Sequence, residues 1–150
     1  MIFPDKYAQN SDSSTGFALF RVYGLWSAAV KKALRPVGLT HPQFTVLTVV
    51  SYLGRDRVTV SQADAAATSG IDPMTVSGIV RNLEQRGLLQ RVRSQTDSRA
   101  WNLGLTTAGQ QVLDQAFPLV EEVNNHFFSI LDDEVSFRAN LNQLRTGPTV

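Results

Sequence analysis

The stretch ATSGIDPMTV, Ala67 to Val76, leaves the backbone very little choice. Gly70 can take the left-handed conformation that closes a helix. Two residues later Asp72 and Pro73 open another: the aspartate caps free N–H groups, and a proline just inside the start gives up a hydrogen bond that was never made. Upstream, Ser61 with Asp64 reads as a capping box that starts a short alanine-rich helix. Downstream, Val76, Ile79, Val80 and Leu83 recur at i, i+3, i+4 and i+7 and must face a core, with Gly87 as the stop. Thr75, Ser77, Gly78, Arg81 and Asn82 are left on the other faces. Two short helices joined around a glycine match a helix-turn-helix layout.

The flanking segments predict helices and one hairpin. From Gly16 to Arg35, Leu19, Tyr23, Trp26, Val30 and Leu34 recur at helical spacing, and Phe17, Phe20 and Leu25 widen the stripe. A helix apolar over that much of its circumference needs more than one neighbour to cover it. Pro36 and Gly38 end it, Thr40 caps the next, and Phe44, Leu47, Val50 and Leu53 follow until Gly54. Leu88 to Arg93 and Ala100 to Leu105 are strand candidates around the turn-forming run Ser94 to Ser98. Within the second strand Trp101, Leu103 and Leu105 alternate with Asn102 and Gly104 and are expected in the core. Thr106 caps a long helix to about Leu131, with Val112, Ala116, Val120, Val123 and Phe127 on one stripe and Pro118 inside it, where a kink is expected. Asp132 or Asp133 caps a last helix carrying Val135, Phe137, Leu141 and Leu144. The fold class expected is mainly α with a small β-hairpin wing.

Charge is segregated, though it nearly cancels at +1. Residues 86–99 hold four arginines, Arg86, Arg91, Arg93 and Arg99, against Asp97. Residues 110–134 hold six acids and no Lys or Arg. A chain polarised in this way can offer one face to a polyanion and turn the other away. With no cysteine, thiolate metal sites, disulfides and thiol redox switches are excluded. His41 and His126 are the only imidazoles. Glu122 and His126 share a helical face, but zinc needs three or four ligands, so neither metal nor cofactor is expected. No phosphate-cradling Gly-Lys loop and no informative Ser, His and Asp spacing occur, which argues against an enzyme. The N-terminus lacks the order of a secretory signal and no apolar run approaches the length of a membrane span, so a cytoplasmic protein without membrane partners is expected.

Helix 73–86 laid in a major groove would turn Pro73, Met74, Thr75, Ser77 and Arg81 toward base edges. Threonine and serine can bond either kind of base edge, methionine can touch a thymine methyl, and arginine pairs best with guanine O6 and N7. Gly78 reads no base itself but would let the backbone come close to the duplex. Thr59, Ser61 and Gln62, at the start of the preceding helix, combine hydroxyl and amide donors with free backbone N–H groups and suit phosphate. Arg91 and Arg93 share a strand face, and Arg99 at the far edge of the turn could enter a minor groove, held by Asp97.

The text GLTHPQFTVL, VSQADAAATSGIDPMTVSGIVRNLEQRGLLQRV and TDSRAWNLGLTTAGQQVL, about residues 38 to 113, resembles the MarR family of bacterial winged-helix transcription regulators. Asp97, Arg99, Leu105, Thr106 and Gly109 match the family's wing signature. The resemblance implies one MarR-type domain over residues 1–150: residues 1–36 and 107–150 as dimerisation helices, residues 38–106 as a winged helix-turn-helix DNA-binding lobe. It implies a homodimer on double-stranded DNA with a pseudo-palindromic operator, released by a small aromatic effector. Phe20, Tyr23, Trp26, His41 and Phe44 are the candidate lining of an effector pocket. Two positions depart from the family's pattern: Gly78 replaces a larger polar or basic residue, and Ala65 the usual leucine. The alternative is a winged-helix module that binds protein without reading DNA.

Overall fold

The computed structural model describes residues 14–57, 59–93 and 101–147. Its helices are α1 (Thr15–Ala33), α2 (His41–Leu53), α3 (Gln62–Ser69), α4 (Pro73–Gln85), α5 (Thr107–Phe128) and α6 (Glu134–Thr146). The strands β1 (Leu89–Arg93) and β2 (Trp101–Leu105) lie between α4 and α5.

Local chemistry sets the helix ends. Ser14, Thr40, Ser61, Asp72, Thr106 and Asp133 each cap a helix through the side-chain oxygen. Thr40 with Gln43 and Ser61 with Asp64 form reciprocal capping boxes. A 3-10 turn, Arg35–Val37, separates α1 from α2 and closes on Gly38 at φ 66°. Gly70, at φ 71°, closes α3 by donating its N–H to Ala66 O. These left-handed positions are available to glycine without a Cβ penalty.

The core runs through the middle of the chain. Val30 of α1 and Leu34 at its C-cap, Val46 and Leu47 of α2, Val76, Val80 and Leu83 of α4, and Leu113 and Ala116 of α5 are all fully enclosed. Ala65 of α3 is also fully enclosed, and the helix over it is short. The two strands are antiparallel, with Leu89 facing Leu105 and Arg93 facing Trp101. Val60, just before α3, ties to β2 twice: Leu103 N–H donates to its carbonyl, and its own N–H donates to Asn102 Oδ1.

The start of α5 locks onto the end of α4. Thr106 Oγ1 donates to Gly87 O at 2.6 Å and accepts from Gly109 N–H at 3.0 Å. Gly109 packs so closely there that a Cβ would sit 1.9 Å from Leu88 O. The helix then continues through Pro118 as one assigned segment to Phe128.

One expectation needs correcting. Trp101 is not core: it is 46 % exposed, whereas Leu103 of the same strand is 3 % exposed. The sheet face that starts buried at Leu89 and Leu103 has left the core by the time it reaches Arg93 and Trp101. The stripe on α1, read as too wide for one neighbour, is covered within this chain only at its C-terminal end, leaving Leu19 and Tyr23 exposed together with Phe17, Phe20, Val22 and Leu25. On α5, Val112, Ala116, Val120 and Val123 meet the core as their spacing requires, and Leu113, which that spacing did not include, is fully buried with them.

Candidate nucleic-acid interface

α4 is amphipathic in a strict sense. Its inner face, Val76, Val80 and Leu83, is sealed, with Ile79 half-buried beside it, while Gly78, Arg81 and Asn82 are open to solvent. Met74 is 85 % exposed, and Pro73, Thr75, Gly78 and Arg81 are exposed beside it, with Ser77 half-buried. Arg81 Nε donates to Ser77 O, one turn back, so its guanidinium lies along the same outward face. Beyond its own stretch of helix backbone, none of the described residues comes within 4 Å of where a Cβ on Gly78 would be. The first turn is polarised by Asp72: hydrogen bonds from the Thr75 side chain and then its backbone N–H hold the carboxyl below the usual range.

The start of α3 lies eleven residues before that of α4. Thr59 is exposed and Gln62 half-buried. Ser61 forms the expected capping box with Asp64, and the box engages its hydroxyl: it donates to Asp64 Oδ2 at 2.7 Å and accepts from Asp64 N–H at 3.0 Å. Asp64 also receives Arg57 Nη1 at 3.2 Å. Bonds from Ser61, and more weakly the Arg57 charge, lower its pKa. A carboxylate therefore sits where a phosphate was expected to meet Ser61, leaving Thr59, Gln62 and Arg57 as the outward polar groups.

On the hairpin, Arg91 and Arg93 do share a face, as period two requires. Their surroundings differ. Arg91 Nη2 is 2.7 Å from Glu84 Oε2 on the last turn of α4, so it bridges helix and strand. Arg93 is exposed beside Trp101. Asp97 and Arg99, the expected wing tip, lie outside the described residues.

A second polar network fixes the far end of α4. Arg86 donates to Gly38 O at 3.0 Å and to Gln43 Oε1 at 3.3 Å, while Gln43 Nε2 donates to Asn82 Oδ1 at 2.8 Å. Thr40 N–H shares the same Gln43 oxygen at 2.9 Å. The outward helix is thus tied at its C-terminal end to the cap of α2 and, through Glu84, to the hairpin.

The arrangement is that of a winged helix-turn-helix, and comparison with known proteins agrees. The model of the MarR family matches residues 37–100. An uncharacterized HTH-type transcriptional regulator of Bacillus subtilis, YdcH, is 35 % identical over 133 residues, which is 89 % of this chain and 90 % of YdcH. The chain belongs to the MarR family of transcriptional regulators. Among solved structures, CouR of Rhodococcus jostii bound to p-coumaroyl-CoA is 32 % identical with a TM-score of 0.81, covering 95 % of this chain and 99 % of CouR. The Mycobacterium tuberculosis regulator MOSR, solved in complex with DNA, is 25 % identical with a TM-score of 0.74, covering 87 % and 92 %.

In this MarR-family regulator the five residues expected around an effector do not all come together. Trp26 meets His41 edge-on at 5.0 Å and Tyr23 at 6.1 Å. Phe44 is buried against Phe117 at 5.5 Å, and Phe20 is 71 % exposed on α1. Sequence reasoning missed Asn124, whose Oδ1 accepts Trp26 Nε1–H at 2.8 Å from α5, 98 residues away. Ser27 Oγ lies 3.2 Å from His41 Nδ1, and partial burial lowers the pKa of that imidazole. A separate cleft of about 480 Å³ opens between α1 and α5, lined by Lys32, Glu122, Val123, His126 and Phe127 among others. Among the described residues no group of three or more His, Asp or Glu is arranged to hold a metal, and no helix is long and apolar enough to cross a membrane.

Proposed function

We propose that this regulator works as a homodimer that reads a pseudo-palindromic operator, with α4 in the major groove and the Arg-tipped wing in the minor groove. The observation that carries the reading is the split character of α4. A helix that seals Val76, Val80 and Leu83 into the core while presenting Pro73, Met74, Thr75, Ser77 and Arg81 along its first two turns has the shape and chemistry of a groove reader. Thr59 and Gln62 would contact phosphate, with Ser61 acting through the cap. Residues 38–106 would form the DNA-binding lobe, and residues 1–36 and 107–150 the dimerisation region. Supporting that division, most of the exposed large apolar residues among those described lie there: Phe17, Leu19, Phe20, Val22, Tyr23 and Leu25 on α1, and Val135, Leu141 and Leu144 on α6.

An aromatic effector would release the DNA. The contiguous aromatic and polar set Tyr23, Trp26, Ser27, His41 and Asn124 joins α1, α2 and α5, and the Thr40–Gln43–Asn82–Arg86 network leads from the start of α2 to α4. A ring inserted at the first set would shift α2, and α4 would follow through the second. CouR with p-coumaroyl-CoA supports an effector that carries an aromatic ring.

The test is fluorescence anisotropy with duplexes that the protein itself retains from random DNA. Affinity should fall steeply with salt as counterions are released. Arg81→Ala should relax preference at one base-pair position by about 1–3 kcal/mol, whereas Arg99→Ala should weaken every duplex alike. If neither substitution changes binding, the protein-interaction alternative takes its place.

A further inference from the structure

The exposed indole of Trp101 is where two cations meet. Its register partner is Arg93, whose Cζ lies 5.5 Å from the ring centroid, and Arg91 Cζ lies 5.8 Å from it. Both distances fall within cation–π range. The two arginines have different charge environments. Arg91 is balanced by Glu84 at 2.7 Å and is largely covered. Arg93 has no carboxylate partner among the described residues and is exposed. Stacking against an aromatic face restrains a guanidinium through its plane and leaves the N–H donors on its rim available. An arginine held in this way has already given up most of the side-chain freedom that a phosphate contact would otherwise remove.

We propose that Trp101 is a positioning residue: it holds Arg93 with its free N–H edge toward a backbone phosphate beside the groove that α4 occupies. Arg91, expected from sequence to touch DNA, serves as a strut that joins the hairpin to α4 through Glu84. The inference rests on the duplex-binding reading above and adds a residue that neither the wing signature nor the groove-facing helix contains. It also explains why a large apolar ring is left in solvent on a strand whose next inward residue, Leu103, is buried.

The experiment measures duplex affinity against salt for the full chain, using a fluorescent duplex selected by the wild type. Trp101→Ala and Arg93→Ala should each weaken binding about tenfold, the scale of a lost hydrogen bond to a charged group. Each should also lower the slope of log K against log salt by about one per wing. The double variant should bind no more weakly than Arg93→Ala alone, because both changes remove one contact. Trp101→Phe should restore the slope by keeping a π face. Trp101→Leu, which keeps apolar bulk and guards against a folding defect, should not. An unchanged slope in Trp101→Leu, or a double variant weaker than Arg93→Ala by the full Trp101→Ala factor, overturns the proposal. If Arg81→Ala still shifts base preference in that case, duplex binding survives and only the role of Trp101 falls; a wild type that retains no duplex ends both.

Discussion

Replacing Gly78 with alanine should make the protein more stable and a poorer DNA binder at once. Gly78 lies inside α4, exposed, with none of the described residues beyond its own helix backbone within 4 Å of the place a Cβ would take, so the added methyl meets no obstacle in the free protein. A glycine in a helix interior is about 1 kcal/mol less favourable than alanine, and that full difference should appear as stabilisation. For a 150-residue chain with roughly 2.1 cal/mol/K of unfolding entropy per residue, this raises Tm by about 3 °C. On the duplex the same methyl stands between backbone and groove. Overfilling a packed contact costs about 1–3 kcal/mol, so affinity should drop at least about fivefold for each α4 that docks. Circular dichroism melts at one protein concentration, paired with anisotropy titrations of a selected duplex, read both quantities. A higher Tm with unchanged affinity would show that the duplex does not approach α4 at Gly78. A lower Tm would contradict the open environment described for that position.

Gly109→Ala should be severely destabilising, by about 3 kcal/mol, because its Cβ has to displace the backbone carbonyl of Leu88 and not a mobile side chain; urea denaturation at fixed concentration measures it. Asp72→Asn should leave Tm near neutrality almost unchanged, since asparagine caps as well as aspartate. The depressed Asp72 pKa contributes stability that is complete above its unfolded value of 3.8 and disappears as pH falls through the lower folded value, so the variant should show a shallower acid limb in a melt series. His41 has its pKa lowered by burial, so protonation is resisted in the fold and stability should decline as pH falls below the unfolded value of 6.5. His41→Gln should flatten that part of the Tm profile.

What the sequence revealed was what neighbouring residues decide among themselves. The α3–turn–α4 geometry follows from Ser61, Gly70, Asp72 and Pro73, each acting within four residues of its own position, and all four caps and stops are where their chemistry requires. Trp101 defies its alternation pattern for a physical reason. Alternation along β2 says which residues share a face, but not where that face leaves the core, and the answer depends on how far the hairpin projects beyond α2 and α4. The Ser61–Asp64 capping box was legible too, and it is the reason the Ser61 hydroxyl is already engaged within the cap. Of the effector-pocket candidates Tyr23, Trp26 and His41 do meet, while Phe44 lies against Phe117, 73 residues away, and Phe20 stays in solvent; the Asn124 partner of Trp26, 98 residues away, is one that no periodicity connects. The uncovered apolar flank of α1 was legible as a stripe too wide for one neighbour, and the structure of one chain leaves it open.

Hydroxyl-radical footprinting of a selected duplex tests the central claim most directly. Two α4 helices related by a two-fold axis should protect two symmetric patches about 34 Å apart, one turn of DNA, with added minor-groove protection from the wings. A single unsymmetric patch, or uniform cleavage at protein concentrations that saturate binding, would contradict a dimer reading its operator through paired helices.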